Sequence, residues 1–289
     1  MICLTRIRKF VLLVFTITSF QVVCMAQRDG EIERLRMENL YLRQKNDSLR
    51  QALNFFEREK VIDPWDSLTG IGDDAGIDDS SYSGFGMSSN AQNLSFQKEV
   101  MSTVPFFSLN YDEIFRLYID KYTIARRKIM PAILKRYFSY LPLFQDTFRR
   151  YGVPEQLTAL CIVESAVSRR ALSPVGAYGM WQLMPDTARQ YGLQVNEETD
   201  EREDVKKSTD AAARMLRDLK NSLGSWEMAV LAYNCGSGTV RKAIVKKGGS
   251  KDVWAIFDLL PSETRAYLPS FVAVNYCVFF SDILFAANS

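Results

Sequence analysis

The 289-residue chain contains no histidine. That absence excludes Ser-His-Asp and Cys-His catalysis, phosphohistidine chemistry and most catalytic zinc sites. Proton transfer near neutral pH must then fall to a glutamate, aspartate, lysine, tyrosine or cysteine whose proton affinity the fold has displaced. Cysteine is scarce as well. Beyond the N-terminal segment only Cys161, Cys235 and Cys277 remain, too few for a disulfide framework. The net charge is +2, so the chain lacks the basic excess that nucleic acid binding calls for. From Phe96 onward no strand-turn-strand pattern appears, which leaves a mostly α fold.

What is there begins with Arg6, Arg8 and Lys9 ahead of an apolar run from Phe10 to Phe20, with Ala26 at a cleavage point before Gln27. Residues 1–26 read as a secretory signal peptide, which puts the mature chain in the periplasm or cell envelope. An uncleaved anchor is disfavoured by Thr16, Thr18, Ser19 and Gln21 inside the run. Lipoprotein anchoring at Cys24 is disfavoured by Val22 and Val23, where a small residue is usual. Residues 31–60 alternate three and four: Ile32, Asn39, Asn46 and Leu53 fall on heptad position a, and Leu35, Leu42, Leu49 and Phe56 on d. That pattern suits a parallel coiled coil, hence a homodimer, or else a single amphipathic helix. Residues 61–95, rich in Asp, Ser and Gly, read as a flexible acidic linker. Residues 96–289 form the globular domain, with a core of about 150–246. In it Gly152, Gly192 and Gly224 mark helix ends, and Ser208 reads as an N-cap.

Within that core, "YGVPEQLTALCIVES" reads as a helix opening at Pro154. Leu157, Leu160, Cys161 and Glu164 follow the 0, 3, 4, 7 spacing of an inward stripe. A carboxyl on such a stripe is costly unless it is paired or does chemistry; otherwise it is a helix-end glutamate with its head in water. Downstream, "SPVGAYGMWQLMPDTA" sets Trp181, Gln182 and Met184 after two glycines. An aromatic, an amide and a thioether are the mixture that sugar binding favours. "LAYNCGSG" then places Tyr233 and Asn234 at a helix end running into a glycine-rich loop. Each of these has a structural alternative: core packing for Trp181 and Met184, a helix cap for Asn234.

Glu-Ser, then Gly-x-x-Gly-x-Trp-Gln-x-Met-Pro-x-Thr-Ala, then Ala-Tyr-Asn-x-Gly, in this order and spacing, resemble the catalytic domain of lytic transglycosylases that cleave peptidoglycan. "DEREDVKKSTDAAARML" and "LPSETRAYLPSFVAV" are similar to the membrane-bound type D subgroup. The resemblance covers roughly Val104 to the C-terminus and implies a lysozyme-like α-helical domain. It also implies that Glu164 is the single catalytic acid/base and Ser165 a structural neighbour. Ser173 would help to place the substrate's N-acetyl group, with Gln182 and Met184 touching the sugars and Trp181 in the same wall. Tyr233 would face the acid, with Asn234 beside it. Ala166 and Arg169–Arg170 depart from the family's pattern, as does Cys235. The resemblance leads to a small residue at both Cys161 and Cys235, which raises a bridge between them against two buried thiols.

No acidic partner for Glu164 stands in these motifs, and the Asp200–Asp204 cluster reads as a solvated face and turn. The implied reaction therefore needs one carboxyl, no metal and no cofactor. Glu164 protonates the bond between N-acetylmuramic acid and N-acetylglucosamine, the acetamido group assists, and the C6 hydroxyl closes a 1,6-anhydro ring. Two other readings stay open, a hydrolase of the goose-lysozyme type and a non-catalytic glycan-binding scaffold of the envelope.

Overall fold

The structure, a computed structural model, describes residues 30–39, 65, 98–107 and 113–285. The signal peptide with Cys24, residues 40–60 of the heptad segment and all of the acidic linker except Trp65 lie outside the described residues. Two units separate, Met1–Phe56 and Glu57–Ser289. In the first, residues 30–39 are helical, with Ile32 and Leu35 exposed.

In the second, apolar periodicity dictates the elements. Helix α1 (Glu113–Asp120) runs into a π-helical turn, Lys121–Ala125. Helix α2 (Met130–Arg150) carries Pro131 in its first turn, where a missing N–H costs nothing, and Arg149 and Arg150 against the negative end of its dipole. A 3₁₀ segment, Glu155–Ala159, leads into the six-residue α3 (Leu160–Ser165). Pro154 is thus the extended residue that caps the 3₁₀ turn, not the opening residue of one long helix. Helix α4 (Pro185–Gln190) starts at Pro185 with Asp186 in its first turn.

Helix α5 (Val205–Leu223) corrects the expected cap. Asp204 holds that position, its carboxylate accepting from the Lys207 N–H at 2.9 Å. Ser208 lies one turn inside, buried, donating back to the Asp204 carbonyl. Gly224 ends α5 at φ 99°, a conformation that costs a glycine little. Ser225 then caps α6 (Trp226–Cys235). The loop expected after Asn234 shrinks to a single break at Gly236 before α7 (Ser237–Lys246). Helices α8 (Val253–Ile256), α9 (Ser262–Phe279) and α10 (Ser281–Phe285) complete the unit.

Helix α9 is the axis of the core. Every residue from Ala266 to Cys277 is buried, as expected of a helix that is apolar on all sides. It packs against α1, α3 and α6, while α5 packs against α2 and α6. Between α3 and α4 the chain is irregular, pinned by isolated bridges Leu172–Tyr178 and Tyr178–Leu183. With Val195–Asp200, these are the strand-like pairings among the described residues, and the architecture is mostly α.

Candidate active site

Leu157, Leu160 and Cys161 are fully buried, and Glu164 continues their stripe to the end of α3. Glu164 keeps some solvent access, yet its carboxyl is ringed by enough protein to lose most of its hydration. Burial raises its pKa from the ordinary 4.5 to about 8. The hydrogen bond that the Tyr267 hydroxyl donates to Oε1 opposes that rise, since it favours the charged form. The Glu263 carboxylate adds to the rise as a like charge. The same burial, with Glu164 alongside, pushes the Tyr267 and Tyr233 hydroxyls well above the ordinary tyrosine value. The rise at Glu164 favours the protonated carboxyl near neutral pH, with the Tyr267 and Tyr233 hydroxyls neutral.

Helix α3 is too short to hold this position by itself, and contacts from four other segments do so. Ala166 and Val167 follow at φ 50° and 65°, costly for residues with a Cβ and most so for a β-branched valine. That turn lets the Val167 N–H reach the Cys161 carbonyl at 3.1 Å, and Arg136 of α2 donates to the Ala166 carbonyl at 2.9 Å. Ser165 is buried and donates to the Met180 carbonyl at 2.8 Å, the structural role expected of it. Trp65 donates its indole N–H to the carbonyls of Ile162 and Val163, at 2.9 and 3.0 Å. At this one residue the flexible-linker expectation is corrected, because the ring is buried in the domain.

The irregular segment bears the other expected residues. Ser173 accepts from the Ala177 N–H at 2.9 Å and closes the turn through Gly176. Gln182 sits at φ 44° and donates its amide to the carbonyls of Ala171 and Gly179, at 2.9 and 2.8 Å. Its Oε1 is buried without a hydrogen-bond partner, an arrangement native proteins rarely leave unexplained. Met184 is exposed just ahead of α4. Trp181 is a correction: its ring is fully buried, within 5.3 and 5.4 Å of the Phe144 and Phe148 rings, with Nε1 bonded to Thr209. It is core, and its contribution to the site is its carbonyl, which accepts the Tyr233 hydroxyl at 2.7 Å.

The Asp200–Asp204 cluster is corrected too. Asp200 pairs with Arg202, which is buried and reaches the carbonyls of Gly176 and Leu183 at 2.8 and 2.9 Å. A Cβ on Gly179 would stand 2.3 Å from the Arg202 carbonyl oxygen. Glu203 pairs with Arg170. These residues clamp the segment that carries Ser173 and Gln182; the expected turn is there and Asp204 is exposed, but Arg202 points inward and not into solvent.

Tyr233 and Asn234 stand at the end of α6. Asn234 donates to Glu263 at 3.3 Å and accepts from Thr264 at 2.6 Å. Glu263 and Tyr267, both from "SETRAYLP", are thus at the acid, although only Tyr233 and Asn234 were expected there. Their four-residue spacing on one helix face was legible; their arrival at Glu164, about a hundred residues upstream, was not. Cys161, Cys235 and Cys277 are free thiols, so no bridge joins the first two. Among the described residues no cluster of three or more metal-ligating side chains occurs.

Residues 142–256 match the sequence family described as Transglycosylase SLT domain. The chain is 40% identical over 140 residues to the membrane-bound lytic murein transglycosylase D of Escherichia coli (strain K12), covering 47% of this chain and 30% of that protein. It is 28% identical over 152 residues to the soluble lytic murein transglycosylase of the same strain, covering 48% of this chain and 24% of the other. The crystal structure of the 70 kDa soluble lytic transglycosylase SLT70 from Escherichia coli aligns with a TM-score of 0.41 at 27% identity, over 49% of this chain and 25% of that one. The chain therefore spans less than a third of the length of these relatives.

Proposed function

We propose, from the premise that residues 142–256 form a transglycosylase SLT domain, that this chain is a peptidoglycan lytic transglycosylase with Glu164 as its acid/base. The single observation that carries the reading is the Glu164 carboxyl, set at the end of a buried stripe and bonded by the Tyr267 hydroxyl, where burial raises its pKa to about 8. A protonated acid is what a leaving glycosidic oxygen needs.

Glu164 gives its proton to the oxygen between N-acetylmuramic acid and N-acetylglucosamine as that bond breaks. The muramic acetamido carbonyl attacks C1 and forms a cyclic oxazolinium. The Glu164 carboxylate, now stabilised by the Tyr267 hydroxyl, takes the C6 hydroxyl proton. O6 displaces the acetamido oxygen, closing the 1,6-anhydro ring, and Glu164 ends protonated again. No water enters the balance. Gln182, with an unpaired Oε1, would accept from a sugar hydroxyl or amide N–H. Ser173, Met184, Tyr233 and Asn234 would bound the sugar, with Trp181 behind them in the core. Secretion to the envelope and pairing of two copies through residues 31–60 belong to the same reading. The "membrane-bound" in the type D relative's name supports the envelope location.

One observation favours the hydrolase as a second reading. Glu263 lies near Glu164, and a second carboxylate is what water-activating glycosidases use. Glu263 is exposed and engaged with Asn234, and its charge helps to keep Glu164 protonated. Glu164→Gln keeps the shape and removes the proton. It should reduce muropeptide release from purified peptidoglycan by roughly 10²–10⁴-fold with the melting temperature retained. Release within about tenfold of the parent would remove Glu164 from the acid's role.

A further inference from the structure

Helix α3 ends in an electrostatic problem. The last-turn carbonyls of any helix lack partners within it. Here the Ile162 carbonyl receives the Ala166 N–H at 3.0 Å. The Val163 carbonyl loses its natural donor, because the left-handed turn at Ala166 and Val167 sends the Val167 N–H to Cys161 instead. Val163 immediately precedes Glu164, so an unpaired carbonyl there would loosen the residue that bears the acid. The Trp65 indole N–H lies 3.0 Å from that oxygen and 2.9 Å from the Ile162 oxygen.

Trp65 is itself built into place. Its ring meets Tyr122 edge-on at 5.6 Å, and the Arg126 guanidinium lies over it at 4.3 Å. Tyr122 belongs to the π-helical turn Lys121–Ala125, and Arg126 is its C-cap. Such turns recur where a helix must aim side chains at a site. Residue 65 and the π-turn both lie outside the segment that matches the transglycosylase family, residues 142–256.

We propose that Trp65 is a positioning residue for Glu164: its N–H completes the end of α3, and the Tyr122–Arg126 seat fixes the donor. The proposal rests on the function assigned above to Glu164. The chain ahead of the family-matching segment is then part of the working site.

Trp65→Phe in the full chain keeps an aromatic ring and removes the donor. Amide hydrogen exchange of the parent and the variant is compared segment by segment, together with kcat and KM for muropeptide release. Leaving one buried carbonyl unpaired should speed exchange at Ala166 and Val167 by about tenfold, with α5 and α6 unchanged. In the same variant kcat should fall by at least about fivefold while KM stays within about twofold, the signature of a misplaced acid and not of lost binding. Exchange unchanged at Ala166 and Val167, exchange accelerated throughout the domain, or kcat equal to the parent's would each overturn the proposal. The exchange arm reads out even in a chain that releases no muropeptide, so a failure of the functional reading is distinguishable from a failure of this one.

Discussion

Tyr267→Phe tests how the site sets the proton affinity of Glu164. Burial lifts the carboxyl to about 8, and the Tyr267 hydroxyl is the contact that opposes the lift. A hydrogen bond to a charged acceptor in such a setting contributes about 1.5–3 kcal/mol. At about 1.4 kcal/mol for each pH unit, its loss should raise the carboxyl by about one to two units further. The proposed mechanism needs Glu164 protonated at the start, so activity in the parent should fall as pH rises through about 8. In Tyr267→Phe that alkaline limb should move up to roughly 9–10. The plateau should meanwhile drop by roughly 10- to 150-fold, because the carboxylate formed when the proton leaves has lost its donor. Release of soluble muropeptides between pH 5 and 10, with melting temperature as the check on folding, measures both effects. A limb that stays at about 8 or moves down would refute the argument, whatever happened to the plateau.

Glu263→Gln should act in the opposite direction on the limb. Removing a like charge lowers the Glu164 pKa, so the limb should move below about 8 while the products keep their anhydro ends; pH profiles with product masses check both parts. Gly179→Ala should cost about 3 kcal/mol or more, since the new Cβ would meet backbone 2.3 Å away at a φ of +81°. In calorimetry the expected fall in melting temperature is about 6–12 °C, and a change under about 2 °C would contradict the close approach.

The parts of this site that were legible from sequence are those encoded locally. The 0, 3, 4, 7 stripe placed Glu164 on the buried side of a helix, and helices α1, α2 and α5 follow their apolar spacing. Trp181 was misplaced because an aromatic beside glycines suits a sugar-binding wall as well as a core. Only the arrival of Phe144 and Phe148 from α2 decides between the two. Arg202 sits in a run of charges that looks solvated, and its inward turn depends on the Gly176 and Leu183 carbonyls waiting for it. Ser208 scored as a cap on residue type, but Asp204 is available one turn earlier and takes the N-terminal amide. Tyr267 and Trp65 reach α3 from about 100 residues away on either side. Periodicity within one helix carries no information about contacts at that separation.

The most direct test of the central claim, cleavage by Glu164 without water, is digestion of purified peptidoglycan in ¹⁸O-labelled water followed by mass spectrometry of the released muropeptides. The mechanism predicts products one water lighter than the corresponding lysozyme fragments, with no ¹⁸O at the muramic end. Reducing ends carrying ¹⁸O would mean that water attacks C1, and would contradict it.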